Sequence, residues 1–190
     1  MTRGTPLVSI VVNNHDYAAF LPAAVESALA QSHPRVEVVV VDDGSTDGSR
    51  EVIRGFGDRV VAVLKPNGGQ ASAFNAGFRA TRGELVHFLD ADDSLDPRCA
   101  ERVVDAWGAR EGLSKLHFFL RIVDGAGRAT GKAKPLYTER LPDGDVRPEL
   151  AGSGGYVSPP TSGNVFARSF LERVMPVPEE DFRICADSYL

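Results

Sequence analysis

Three carboxylates fall within four residues at Asp90, Asp92 and Asp93. They end a short apolar run, Leu85 to Leu89, that Gly83 precedes and Asp96-Pro97 follows. Anions this close repel one another unless water or a cation screens them, and a hard divalent cation with oxygen ligands is one solution. The plainer alternative is a solvated acidic turn that also caps the next helix. Two other polar clusters follow apolar runs in the same way. Asn13, Asn14, His15 and Asp16 follow Leu7 to Val12, and Asp42-Asp43 follow Val36 to Val41. If these runs are parallel strands, the three clusters share one edge, outside the strands' carboxyl ends, where open α/β sheets bind ligands. A nucleotide-sugar suits that edge. Its diphosphate is anionic, so Mg²⁺ or Mn²⁺ between it and the carboxylates would satisfy both sides. Asp43 can accept a base N–H, while Asn13 and His15 offer an amide and a flat ring for bonding or stacking. Asp47 reads as a helix cap, and Lys65 as a solvated charge rather than a phosphate ligand. Asn67, Gly68 and Gly69 permit close backbone approach.

The elements that must position these residues alternate. Leu7 to Val12 reads as a β-branched first strand that Asn13 to Tyr17 breaks. Leu21, Val25, Ala28 and Leu29 recur at helical spacing, with Pro22 tolerable in a first turn. Val36 to Val41 is a second strand, Asp42 to Asp47 a turn, and Ser49 to Phe56 a short helix. Val60 to Leu64 is a third strand and Gln70 to Ala80 a small-residue helix. The acidic strand comes fourth. Asp96 and Pro97 then read as N-cap and first residue of a helix to about Ala109. Four strand–helix rounds with short connections predict an α/β fold with a parallel sheet. Beyond Leu116 the pattern weakens. Leu116 to Val123 reads as one strand, Asp124 to Gly127 as a turn into a strand or loop, and Arg128 to Gly155 as irregular. Gly163 to Ala167 suggests a strand, Arg168 to Val174 a helix, and Ile184 to Leu190 a helix start.

The 190 residues suit one domain. A net charge of −5 without a basic run argues against nucleic acid as a partner. Cys99 and Cys185 belong to no Cys-x-x-Cys pair and are expected to be buried thiols. Met1 to Val12 is too short for a signal sequence, and no stretch is long enough to span a bilayer. A cytoplasmic location follows, with room for peripheral membrane association. Nothing here fixes an oligomeric state.

Val8 to Val12, Val39-Val40-Val41-Asp42-Asp43-Gly44-Ser45-Thr46-Asp47, Asn67-Gly68-Gly69, Asn75-Ala76-Gly77, Gly83-Glu84 and Phe88-Leu89-Asp90-Ala91-Asp92-Asp93 together resemble glycosyltransferase family 2 in order and spacing. The match runs from about Leu7 to Pro97. It implies a glycosyltransferase-A fold, Rossmann-like with a mostly parallel sheet flanked by helices. It also implies a nucleoside-diphosphate-sugar donor, UDP- or dTDP-linked, a divalent cation, and inversion at the anomeric carbon. The acceptor is a hydroxyl of a glycan, a lipid-linked or a small molecule. By resemblance Asn13 and His15 contact the base, Asp43 reads its N–H, and Gly69 and Asn75 join the nucleotide-binding set. Asp92 meets ribose or metal, Asp93 holds metal, and Asp90 opens the motif. Two residues depart from the pattern. Asn13-Asn14-His15 stands where Pro-Thr-Tyr is usual, and Phe74 replaces a frequent arginine that can contact phosphate or sugar.

Thr161-Ser162-Gly163-Asn164 and Ala186-Asp187 resemble the family's acceptor-side segments more loosely, with Asp187 as the general base. Residues 1–112 would form the donor-binding half and 113–190 the acceptor-side half, cut short at its C-terminal end. The helix holding Asp187 would then be barely one turn long, and the chain is expected to bind donor normally but transfer poorly. The competing readings are a non-catalytic nucleotide-sugar-binding module and a haloacid-dehalogenase-type phosphatase. In the latter Asp-x-Asp follows the first strand, not the fourth. A dinucleotide-binding domain is disfavoured because no Gly-x-Gly-x-x-Gly follows the first strand.

Overall fold

The computed structural model describes residues 4–190. Valine-rich β1 (Val8–Asn14) and β2 (Val36–Asp43) pair in parallel, from Val8 opposite Val36 to Asn14 opposite Asp42. β4 (Leu85–Asp90) lies parallel on the other side of β1, with Asn13 opposite Asp90. β3 (Val61–Lys65) pairs in parallel with β2 and ends with Lys65 opposite Asp43. Beyond β4 come β8 (Asn164–Ala167), antiparallel to it, and short β5 (Lys115–His117). The order is β3-β2-β1-β4-β8-β5, a mostly parallel sheet. Burial on both faces explains why β1, β2 and β4 read as near-continuous apolar runs.

The first four strands lead in turn to α1 (Leu21–Leu29), α2 (Ser49–Gly55), α3 (Gln70–Ala80) and α4 (Cys99–Gly108). α3 is the most deeply set of these, with Ala71 to Gly77 buried in succession. Its small residues allow that approach. A Cβ on Gly77 would collide with Val11 Cγ1 and lie 3.1 Å from Val41 Cγ2. Phe74, standing where an arginine is frequent, is 1% exposed and stacks on Phe88 with ring centroids 4.3 Å apart. Leu171 of α6 (Arg168–Val174) joins the same core.

The chain forms two compact units, one running to Leu116 and resuming at Val165–Leu190, the other His117–Asn164. The second contains the hairpin β6 (Leu120–Val123) and β7 (Ala129–Lys134), turned by Asp124, whose Oδ1 accepts the N–H groups of Ala126 and Arg128. It also contains α5 (Arg147–Ser153), which ends on left-handed Gly154. Buried Asn164 donates to the carbonyls of Pro159 and Pro160.

Several expectations are corrected. β1 and β2 run on through Asn14 and Asp43, because their polar ends are held by protein groups, Asn14 by Asp42 and Asp43 by Lys65 and the Asn67–Gly69 loop. α4 begins at Cys99, not Pro97, since Asp96 first closes a turn by accepting the N–H groups of Arg98 and Cys99. The single strand expected over Leu116 to Val123 is two, β5 and β6. Arg128 to Gly155, read as irregular, holds β7 and α5. The expected helix start after Ile184 is one 3-10 turn, Ala186–Ser188. Cys185 is exposed and Cys99 half-buried, so neither thiol is in the core. Among the described residues no helix is long and apolar enough to cross a membrane.

Candidate active site

Three strand ends and one loop build the site. At the end of β1, Asn14 Nδ2 donates to Asp42 Oδ1 at 3.1 Å and to Ser45 Oγ at 3.0 Å. Fully buried Asp42 also accepts Arg50 Nε at 2.8 Å and the Ser45 N–H at 3.2 Å. Burial alone would raise its pKa. The hydrogen bonds from Ser45, Arg50 and Asn14 outweigh burial and hold the carboxyl below the ordinary carboxylate value. Asp16 and Asp47 extend this brace between the loops that follow β1 and β2. Asp16 accepts the Thr46 N–H at 2.6 Å, and Asp47 accepts the Ala18 N–H at 2.9 Å as well as that of Ser49, the first residue of α2.

Successive strand residues face opposite ways, and Asp43 serves a different loop. Its Oδ1 accepts Lys65 Nζ and the Gly68 N–H at 2.9 Å. Its Oδ2 accepts the Gly69 N–H at 2.7 Å and Asn67 Nδ2 at 3.3 Å. A carboxylate offers about four acceptor positions, so these donors saturate it. Lys65 is therefore paired rather than solvated as expected. The signal for this pairing is readable in sequence, since Asp43 and Lys65 end adjacent parallel strands.

The Asn67–Gly69 loop leads into α3. Gly69 sits at φ +88°, and a Cβ there would lie 2.5 Å from Arg183 Cγ and 2.6 Å from the Arg183 carbonyl. Both left-handed backbone and lack of space demand glycine. The first turn of α3 is closed by a strap from the chain's C-terminal part. Gln70 N–H donates to the Arg183 carbonyl at 2.8 Å, Ala71 N–H to the Phe182 carbonyl at 3.2 Å, and Ala186 N–H to Gln70 Oε1 at 2.7 Å.

Between strand ends and strap lies a cavity of about 350 Å³. Asn13, His15, Asp43, Gly69 and Asp90, all singled out from sequence, line it together with Asn67, Gln70 and Arg183. Asn13 Oδ1 and Nδ2 are both buried and lack a protein partner. An unsatisfied buried polar group costs about 1–3 kcal/mol, so this carboxamide offers a donor and an acceptor to an occupant. Asn67 Nδ2 lies 3.3 Å and 3.4 Å from the two ring nitrogens of His15. Arg183 Nη2 donates to Asn67 Oδ1 at 2.5 Å.

Four expected residues do not line the cavity. Asn75 is 2% exposed and turned to the interior. Its Nδ2 donates to the Val177 carbonyl and Glu179 Oε1, and its Oδ1 accepts the Val177 N–H. It clasps residues 177–179 to α3, and both ends of its amide are taken. Asp92 is exposed and Asp93 half-buried on the turn after β4, which Asp93 N–H closes onto the Asp90 carbonyl at 3.1 Å. Asp187 is half-buried on the 3-10 turn. It acts on Lys115, whose ammonium is pushed down to about 8 by burial, with Asp187 opposing the shift. Sequence reasoning missed Arg183 and Gln70. Only the folded strap brings residue 183 to the cavity, and no local pattern marks it.

The hard oxygen donors of Asp90, Asp92 and Asp93 are chemically right for Mg²⁺ or Mn²⁺. Among the described residues no group of three or more His, Cys, Asp and Glu side chains converges as a metal cage.

The sequence profile of Glycosyl transferase family 2 matches residues 9–154. The chain belongs to that family. An uncharacterised glycosyltransferase of Nostoc sp. is 38% identical over 187 residues, covering 95% of this chain and 56% of the relative. Among solved structures, S. aureus TarS 1-349 superposes with a TM-score of 0.71 at 19% identity, covering 95% of this chain and 52% of that one. The mannosyltransferase PcManGT from Pyrobaculum calidifontis, in complex with GDP-Man and Mn²⁺, gives 0.62 at 21% identity, covering 97% and 50%. TarS 1-349 has also been solved with UDP and with UDP-GlcNAc. The fold of this family 2 chain is the glycosyltransferase-A fold, and the family sets aside the phosphatase reading. The chain spans about half the length of these proteins.

Proposed function

We propose that this family 2 chain binds a nucleoside-diphosphate-sugar at the β1, β2 and β4 ends and supports inverting transfer of the sugar to an acceptor hydroxyl. The observation that carries the reading is the unpartnered Asn13 carboxamide buried in the cavity opposite Asp90 in the β-ladder. A base or ribose presents the matching donors and acceptors, and His15 offers a flat face beside it. Asp43 fixes the Asn67–Gly69 loop and reads an imide N–H, as in uracil or thymine, by exchanging one of its present donors for it. A UDP- or dTDP-linked donor follows, and the UDP and UDP-GlcNAc complexes of TarS 1-349 are in keeping with the uridine form.

Asp90, Asp92 and Asp93 would hold a Mg²⁺ or Mn²⁺, which supplies charge neutralisation on the departing diphosphate. The turn after β4 that carries Asp92 and Asp93 is closed by Asp93 N–H on the Asp90 carbonyl. Asp187 takes the proton from the acceptor hydroxyl as that oxygen attacks the anomeric carbon from the face opposite the leaving group. Asn75 serves the site from behind by holding α3 in place. Residues 113–190 contribute to the acceptor side as well as supplying the strap over the donor cavity, and the acceptor is a glycan, a lipid-linked or a small molecule.

Calorimetric titration with UDP in Mn²⁺ and in EDTA tests the reading. Binding should be clearly tighter with Mn²⁺, and Asp90→Ala together with Asp93→Ala should abolish the difference while leaving uridine affinity intact. Equal UDP affinity in both buffers would overturn the metal assignment, and no UDP or dTDP binding in either would overturn the donor assignment.

A further inference from the structure

We infer that Arg183 is the protein's own diphosphate-binding residue; the inference rests on the donor-binding reading above. An anion entering this cavity has few partners. The N–H groups of Gln70 and Ala71 at the start of α3, the natural anion site of such a helix, are already bonded to the carbonyls of Arg183 and Phe182. Lys65 is occupied by Asp43 and by the Pro66 carbonyl. Phe74 is stacked in the core and brings no charge. Of the residues lining the cavity, Arg183 alone is a permanent cation.

Its position is fixed where its charge is not. The Arg183 carbonyl is held by Gln70 N–H, and Gly69 packs against its Cα, Cγ and carbonyl with no space for a side chain. The guanidinium donates to one neutral amide, Asn67 Oδ1, at 2.5 Å and is paired with no carboxylate among the described residues. A guanidinium has five N–H donors, and its fork matches phosphate oxygens. The backbone of residue 183 therefore builds the cavity wall, while its side chain is left with charge and donors for the ligand. Because the strap hydrogen bonds come from main-chain atoms, changing the side chain leaves the wall in place.

The experiment is calorimetry of wild type, Arg183→Gln and Arg183→Lys with uridine and with UDP in Mn²⁺, alongside thermal melts. The wild type must first bind UDP, and failure there defeats the donor reading rather than this inference. Arg183→Gln should weaken UDP by about tenfold or more and uridine by no more than about twofold. Arg183→Lys should recover part of the loss. An unchanged UDP affinity, or equal losses for uridine and UDP, would overturn the assignment. Should Arg183→Gln melt early, the Lys variant decides, because it keeps the charge and the aliphatic stem. A stable Lys variant with uniform loss on both ligands also overturns it.

Discussion

Asp42 and Asp43 occupy adjacent positions at the end of β2, but the hydrogen bonds they accept divide their roles. Asp42 is acid-sensitive. Its folded pKa lies below the ordinary value, so the stability it contributes is fully present above about pH 4 and is lost as pH falls through its lowered folded value. Thermal melts should therefore drop below about pH 4. Arg50→Ala, which removes the 2.8 Å guanidinium bond, should move that drop to higher pH. An acid limb unmoved by the substitution would assign acid lability to other carboxylates. Asp43→Asn acts on the loop instead. It removes the charge that pairs with Lys65 and one of the oxygens serving Gly68 and Gly69. We expect a loss of about 1–3 kcal/mol in stability, typical of a charged hydrogen-bond partner. UDP affinity should fall with it; denaturant titration and calorimetry together would show whether the two losses coincide. The sequence pointed to Asp43 but hid its saturation, because Gly68 and Gly69 contribute through backbone N–H groups that carry no residue signature.

At the scale of elements, α3 owes its place to small residues rather than to helix propensity. Gly77 is a poor helix former, and in an open position alanine would gain about 0.5–1 kcal/mol. Here its methyl would meet Val11 and Val41, and overpacking costs about 1–3 kcal/mol. Gly77→Ala should thus lower stability in urea, and a stabilised variant would show that the α3–sheet contact yields freely. The bounds of α3 and α6 were fully readable from residue spacing. Strand ends were not, because a polar residue that bonds to the next strand looks in sequence like one that bonds to water. Asn13 and Asn14 were read as a break for that reason, although the ladder carries them to Asp90 and Asp42. The turn at Asp124 to Gly127 is legible, but the extent of β7 is not, because apart from buried Ala133 its residues are exposed and Gly131, Lys132 and Lys134 stand in place of apolar alternation.

Across the whole molecule, every residue lining the cavity at the strand ends belongs to the unit made of the first 116 residues and Val165–Leu190. If the proposed donor site is right, the His117–Asn164 unit takes no part in lining it. That unit has a polar cavity of its own, lined by Arg140, Asp143, Glu149 and Tyr156 among others. Tyr156→Ala should leave UDP affinity unchanged by calorimetry; a marked loss would show that the second unit acts on the donor. The gathering of the polar strand ends at one cavity is legible because each motif is local, confined to one strand end or turn. Arg183 was not, since its role depends on a return of the chain that no local pattern encodes. Asn75 was misjudged for a related reason: the amide that a motif presents as a ligand is spent on residues 177–179.

The strap across α3 joins residues far apart in the chain, Ala186 lying 116 positions after Gln70. On the ribosome, β1 to β4 emerge and can pair well before residue 182 has been made, as chains generally fold from the N-terminal side during synthesis. Until then Gln70 and Ala71 lack their carbonyl partners, and nothing packs against Gly69. The nascent sheet is thus present while the cavity at its edge still lacks a wall. Capture of nucleotide by stalled nascent chains should switch on only after Arg183 and Ala186 have cleared the exit tunnel, so that ligand affinity times the closing of the fold.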